Sequence, residues 1–139
     1  MEITLINHQS FLKIVQENLL DFQQVIGEKV EAQQILEGYL SGAYFNQIRH
    51  HDGLLGILLG YGKINSWSYM NESQRNLLGY FEDDTPEESV SILLPMFRAN
   101  FQLQKTQDLR AEYLHQRELL RHVYKDQQFL IPTLLKLSE

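Results

Sequence analysis

The residues with spacing that could do metal chemistry are Glu112-Tyr113-Leu114-His115. On a helix, a glutamate and a histidine three apart share a face, and such a Glu-x-x-His element is half of the ligand set in di-iron helical bundles. A complete site needs a second such element and two more glutamates, and the chain has no second Glu-x-x-His. Glu118 and His122 extend the same side of the helix, away from Leu109, Leu120 and Val123. The alternative to a metal site at Glu112 and His115 is therefore a solvated face on which Glu118 supports His122 four residues on.

Leu54-Leu55-Gly56-Ile57-Leu58-Leu59-Gly60-Tyr61-Gly62-Lys63 invites a phosphate-loop reading. That motif needs four residues between its first glycine and Gly-Lys, then a hydroxyl for magnesium. Gly56 is one position off, and Ile64 follows the lysine. The dinucleotide fingerprint also fails, because Asn65 stands where the third glycine belongs. His50-His51-Asp52 reads as a capping turn, since adjacent histidines on a helix point apart. No serine or threonine sits in a nucleophile elbow, and with no cysteine there is no thiolate nucleophile, thiolate metal site or disulfide. No cofactor is implied.

These residues need elements to position them, and the pattern is helical. Over His8 to Ile26, Leu12, Val15, Leu19, Phe22 and Ile26 follow 3-4-3-4 spacing, and Gly27 supplies a stop. A second helix is predicted over Glu28 to Gln47, carrying Gly38 and Gly42, and a third after Asp52 as N-cap. Gly53, Gly56 and Gly60 share a face of that third helix, and Gly60 and Gly62 are expected to end it. Each costs about 1 kcal/mol against alanine in a helix interior, which argues for close approach to a neighbour. Counting outward from the turn near 49–52 puts Gly42 opposite Gly60, so the second and third helices are predicted to form the close pair. An irregular connection follows over 63–71, then a short helix from Glu72 to Phe81. Thr85-Pro86-Glu87-Glu88 is a capping-box helix start, and Pro95 ends or kinks that helix. The longest helix is predicted over Lys105 to Gln127, with Leu109, Tyr113, Leu120, Val123 and Tyr124 as its apolar face, and Pro132 interrupts the piece that follows. No strand pattern is visible. The expectation is all-α: one domain over 1–139, a compact bundle of five to seven helices with a glycine-mediated helical hairpin.

The net charge of −6 argues against general nucleic-acid binding, which needs a basic footprint. The apolar run from 53 to 61 is too short to cross a membrane, which takes about 20 residues. Glu82, Asp83, Asp84, Glu87 and Glu88 form an acidic cluster without the periodic ligands of a calcium loop. Arg110, Arg117, Arg121 and Lys125 make a basic ridge, either solvated or docking an acidic surface. Aromatics concentrate at Tyr61, Trp67, Tyr69, Tyr80 and Phe81, a residue type common to cores and to interface hot spots. Trp67, in the expected connection, is predicted to be partly exposed. Asn71-Glu72-Ser73 is a glycosylation sequon of a kind that arises by chance.

The glycine segment 54–63, together with Leu94-Pro95-Met96-Phe97 and the Tyr113-x3-Arg117 helix, resembles uncharacterised proteins of chlamydia-like intracellular bacteria over roughly 53–124. The resemblance carries no known activity. It implies a bacterial protein with an envelope or host-facing role. A complete chain would be cytoplasmic, and one that had lost a leader would be exported or lipid-anchored.

The residues thus point first to a non-enzymatic interaction or structural module, with an unknown protein partner or a second copy meeting Tyr61, Trp67, Tyr69, Tyr80, Arg117 and Arg121. The alternative is a bundle that carries a small apolar ligand in a groove beside Leu55, Leu58 and Tyr61. A metal-dependent enzyme using Glu112 and His115 is the remote third reading.

Overall fold

A computed structural model describes residues 6–80 and 96–123. The chain divides into two compact units, Met1–Leu78 and Gly79–Glu139, where the length alone suggests one domain. The protein is mostly helical, as the periodicity predicts. Eight helices lie among the described residues, where five to seven are expected for the chain, because two predicted long helices are each broken, at 18 and over 42–44, and residues 63–70 are helical where a connection is expected.

In the N-terminal unit, the predicted helix from His8 to Ile26 is two helices, α1 (His8–Glu17) and α2 (Leu19–Ile26). Asn18 divides them: its side-chain amide donates to the Ile14 carbonyl at 2.9 Å, the local competition that makes asparagine a poor mid-helix residue. Gly27, at φ 82, ends α2 as predicted. The predicted helix from Glu28 to Gln47 is likewise α3 (Ala32–Ser41) and α4 (Phe45–Arg49). Gly42 ends α3, and the chain folds back so that the Tyr44 N–H donates to the Gly38 carbonyl. A Cβ on Gly38 would collide with the Tyr44 ring, so this glycine makes room for the turn rather than for another helix. The core is built from Phe11, Val15, Phe22, Ile26, Ile35, Leu36, Tyr39, Ile48, Leu54 and Ile57. The Phe11, Tyr39 and Phe45 rings run through it in sequence, at 5.5 and 5.0 Å.

The glycine-mediated hairpin is present, but with a different partner. It pairs α5 (Asp52–Leu58) with α6 (Lys63–Met70). The Gly53 and Gly56 backbones lie against the Met70 and Ser66 side chains: a Cβ would sit 2.8 Å from Met70 Sδ and 2.7 Å from Ser66 Oγ, respectively. Gly60 ends the helix as expected, and so lies in the turn, at φ 80, rather than on the helix face. It closes α5 as a Schellman motif, with the Tyr61 N–H on the Gly56 carbonyl and the Gly60 N–H on the Ile57 carbonyl. The predicted pairing of Gly42 with Gly60 therefore does not occur, since both glycines terminate helices. The irregular connection expected over 63–71 is α6 itself. Its buried residues are Asn65 and Ser66, so no apolar stripe marks it. Instead, the Asn65 amide donates to the Tyr61 carbonyl and the Ser66 hydroxyl to the Gly62 carbonyl. After it comes α7 (Glu72–Arg75), capped by Asn71 and shorter than the helix predicted to reach Phe81.

In the C-terminal unit, β1 (Gly79–Tyr80) pairs antiparallel with β2 (Arg98–Ala99), with Gly79 opposite Ala99 and Tyr80 opposite Arg98. Arms of two residues are too short to show alternation. The long helix α8 spans Gln104–Val123, close to its prediction. The acidic cluster at 82–88, the capping box at Thr85, Pro95, Tyr124, Lys125 and Pro132 lie outside the described residues. No helix among the described residues is long and apolar enough to cross a membrane.

Candidate functional site

The aromatic residues of the N-terminal unit have separate fates, decided by which side of α6 they occupy. Trp67 lies against the core, and its indole N–H donates to Asp21 Oδ1 at 3.1 Å. The other Asp21 oxygen, Oδ2, takes a 2.6 Å ion pair from Lys63. One α2 carboxylate thus holds both the first turn and the middle of α6. Trp67 is part of the packing as well as part of the surface. Tyr61 is half-buried, and burial raises its phenol above the usual 10.0.

His51 meets Trp67 edge-on at 5.4 Å and caps α5, its Nδ1 accepting the Leu54 N–H at 3.2 Å. Asp52, the expected N-cap, is instead the first residue of the helix. His51→Ala should lower stability by about 1 kcal/mol, with His51→Asn restoring most of the loss because its side chain can cap in the same way. Urea unfolding of the two variants checks this.

Tyr69 is on the outer side of α6. Its ring is 37% exposed, and the Arg75 guanidinium lies 4.8 Å from the ring centroid. The Arg75 Nε donates to the Tyr69 carbonyl at 2.6 Å, so two contacts fix the arginine from opposite ends of one residue. Along the same stretch of chain, Met70 is 39% and Leu77 74% exposed. The combination is a tyrosine and an arginine held together, residue types that concentrate binding energy at interfaces, with exposed apolar residues close by in the chain.

In the C-terminal unit, Tyr80 is exposed and carries Arg98 in the same manner, at 4.9 Å, with Arg98 Nη2 donating to the phenol oxygen at 3.4 Å. The basic ridge of α8 is not a solvated face. Arg117 is only 3% exposed, and Arg121 is largely covered while pairing with Glu118 at 2.8 Å. The expected support of His122 by Glu118 is thus replaced by an i, i+3 pair to Arg121. Burial at Arg117 corrects the expectation that it presents a docking surface. Leu109 and Tyr113 are half-buried, while Leu120, expected on the apolar face, is exposed. Glu112 and His115 are exposed, and Glu112 accepts a hydrogen bond from Gln116. Among the described residues, no three His, Asp or Glu side chains come together in a metal-holding group.

No family model, curated protein or solved structure matches the chain. What can be read of the site comes from its own geometry.

The groove expected beside Leu55, Leu58 and Tyr61 has lost one wall to the fold, because Leu58 packs against the core. An open hollow of about 450 Å³ lies instead in the C-terminal unit, lined by Phe101, Gln107, Arg110, Ala111 and Leu114. Asp21, Lys63 and Arg75 escaped sequence reasoning. Lys63 and Trp67 are four apart, which would have suggested a shared helix face had α6 been recognised.

Proposed function

We propose that this protein is a non-enzymatic interaction module, and that the surface built by Tyr69, Met70, Arg75 and Leu77 meets a protein partner. The observation that carries this reading is the fixed Tyr69–Arg75 pair beside exposed Met70 and Leu77. Exposed apolar residues taken singly are ordinary. Here they lie to either side in the chain of an arginine already held in place, so a partner would meet a side chain whose freedom is spent before binding. The residues that build the core, including Trp67 and Asp21, are separate from those that would make contact. An envelope or host-facing setting, as the resemblance implies, suits such a module.

The test is a photoreactive phenylalanine analogue at position 77, in the cells that make the protein. A discrete protein adduct is expected, and Arg75→Gln should abolish it while the melting temperature holds. The same analogue at position 20, an exposed site on α2, serves as the control. Adducts insensitive to Arg75→Gln, or equal from both positions, would contradict the reading.

A further inference from the structure

The same surface also indicates what the partner offers, an inference that rests on the interaction reading above. We propose that Arg75 receives a carboxylate from a peptide segment of the partner, one in which a glutamate or aspartate is flanked by apolar side chains. The Arg75 Nε is committed to the Tyr69 carbonyl and the guanidinium is stacked on the Tyr69 ring. The two terminal nitrogens make no hydrogen bond among the described residues, and no carboxylate there lies within ion-pair distance of them. Glu72 is three residues earlier on α7 and does not pair with Arg75. An end-on guanidinium edge of this kind matches the two oxygens of a carboxylate, and the stacking fixes its direction.

Charge argues for one carboxylate rather than a polyanion. The chain carries −6 overall, so nucleic acid and multiply phosphorylated ligands meet net repulsion. A single acidic side chain pairs with a single fixed arginine. The apolar flanks of the segment would cover Met70 and Leu77, the exposed hydrophobic residues to either side of Arg75 in the chain.

Fluorescence anisotropy on the full chain tests this with two labelled heptapeptide pools. One has a central glutamate flanked by leucine or phenylalanine, and the other has glutamine in its place. The glutamate pool should bind about tenfold more tightly, the scale of one charge-assisted bidentate contact. Arg75→Lys keeps the charge and loses the fork, so it should remove most of that preference with the melting temperature unchanged. Equal binding of both pools, or a preference that survives Arg75→Gln, overturns the carboxylate assignment. Tighter binding of a third pool, with phosphoserine at the centre, overturns it as well, and so does self-association through Arg75 without peptide binding. If both pools bind equally and Leu77→Ser abolishes binding, the carboxylate inference fails while the interaction surface stands. If neither pool binds and position 77 gives no adduct, the interaction reading itself fails.

Discussion

Gly56→Leu should destabilise the N-terminal unit by about 3 kcal/mol or more, the upper range for forcing bulk into a filled contact. Even the first added carbon would lie 2.7 Å from Ser66 Oγ and 3.1 Å from Ser66 Cβ, so α6 would have to move outward. Ser66 cannot simply rotate away, because its hydroxyl is spent on the Gly62 carbonyl. Gly56→Ala should therefore cost less than Gly56→Leu but still register, and pairing it with Ser66→Gly should recover part of the loss. Neighbours that share a contact give such non-additive cycles. Gly60→Leu should also destabilise, for a different reason: φ 80 disfavours any side chain by about 1–2 kcal/mol. Thermal unfolding of the set separates the two causes, since Ser66→Gly should rescue Gly56→Ala and leave Gly60→Leu unchanged. A Gly56→Leu protein with an unaltered melting temperature would remove the close-approach account of the hairpin.

Trp67→Ala should cost about 3 kcal/mol, at the low end for a large aromatic because the ring is only partly buried. Trp67→Phe keeps most of the ring and removes only the N–H, so about 1–2 kcal/mol is expected from the lost charged hydrogen bond. Asp21→Ala, which removes the acceptor, should cost a similar amount, with little of it from Lys63, whose side chain is more than half exposed. Combining Asp21→Ala with Trp67→Phe should cost less than the sum, since both remove the same hydrogen bond. Trp67 is the only tryptophan, so its emission reports directly on this packing and should shift to the red in Asp21→Ala. Strict additivity, or emission unchanged on losing Asp21, would mean that the carboxylate does not hold α6.

What could be read from sequence follows from where apolar periodicity is the physical signal. Spacing places Val15, Phe22 and Ile26 on one helix face, and all three are buried. Gly27 was recognisable as a stop. The failures share a cause. Asn18 breaks a helix through a side-chain hydrogen bond that leaves the hydrophobic pattern intact. The buried face of α6 is Asn65 and Ser66, small polar residues that fit against bare glycine backbone. A helix packed in that way has no stripe to detect. The glycines themselves were read as a close-packing face, which Gly53 and Gly56 are. Gly60 reads from sequence both as a helix end and as part of that face, and Gly42 as part of a facing stripe; only the local backbone shows that both end helices.

The site was less legible than the fold. Tyr69 and Tyr80 were named as aromatics, but the arginines stacked on them come from other elements, and Arg75 is six residues from Tyr69 with a helix boundary between. Arg117 and Arg121 stand out in the sequence by charge, which carries no information about burial. Trp67 was named for contact and turns out to hold α6 to the core.

The central claim is that the Tyr69–Arg75 surface recognises a partner while Trp67 and Asp21 hold the fold beneath it. The most direct test is competition against the crosslink from position 77 by the glutamate peptide pool. The adduct should disappear in the presence of that pool and persist with the glutamine pool. An adduct unaffected by either pool would contradict the carboxylate contact, and no adduct at all would contradict recognition by this surface.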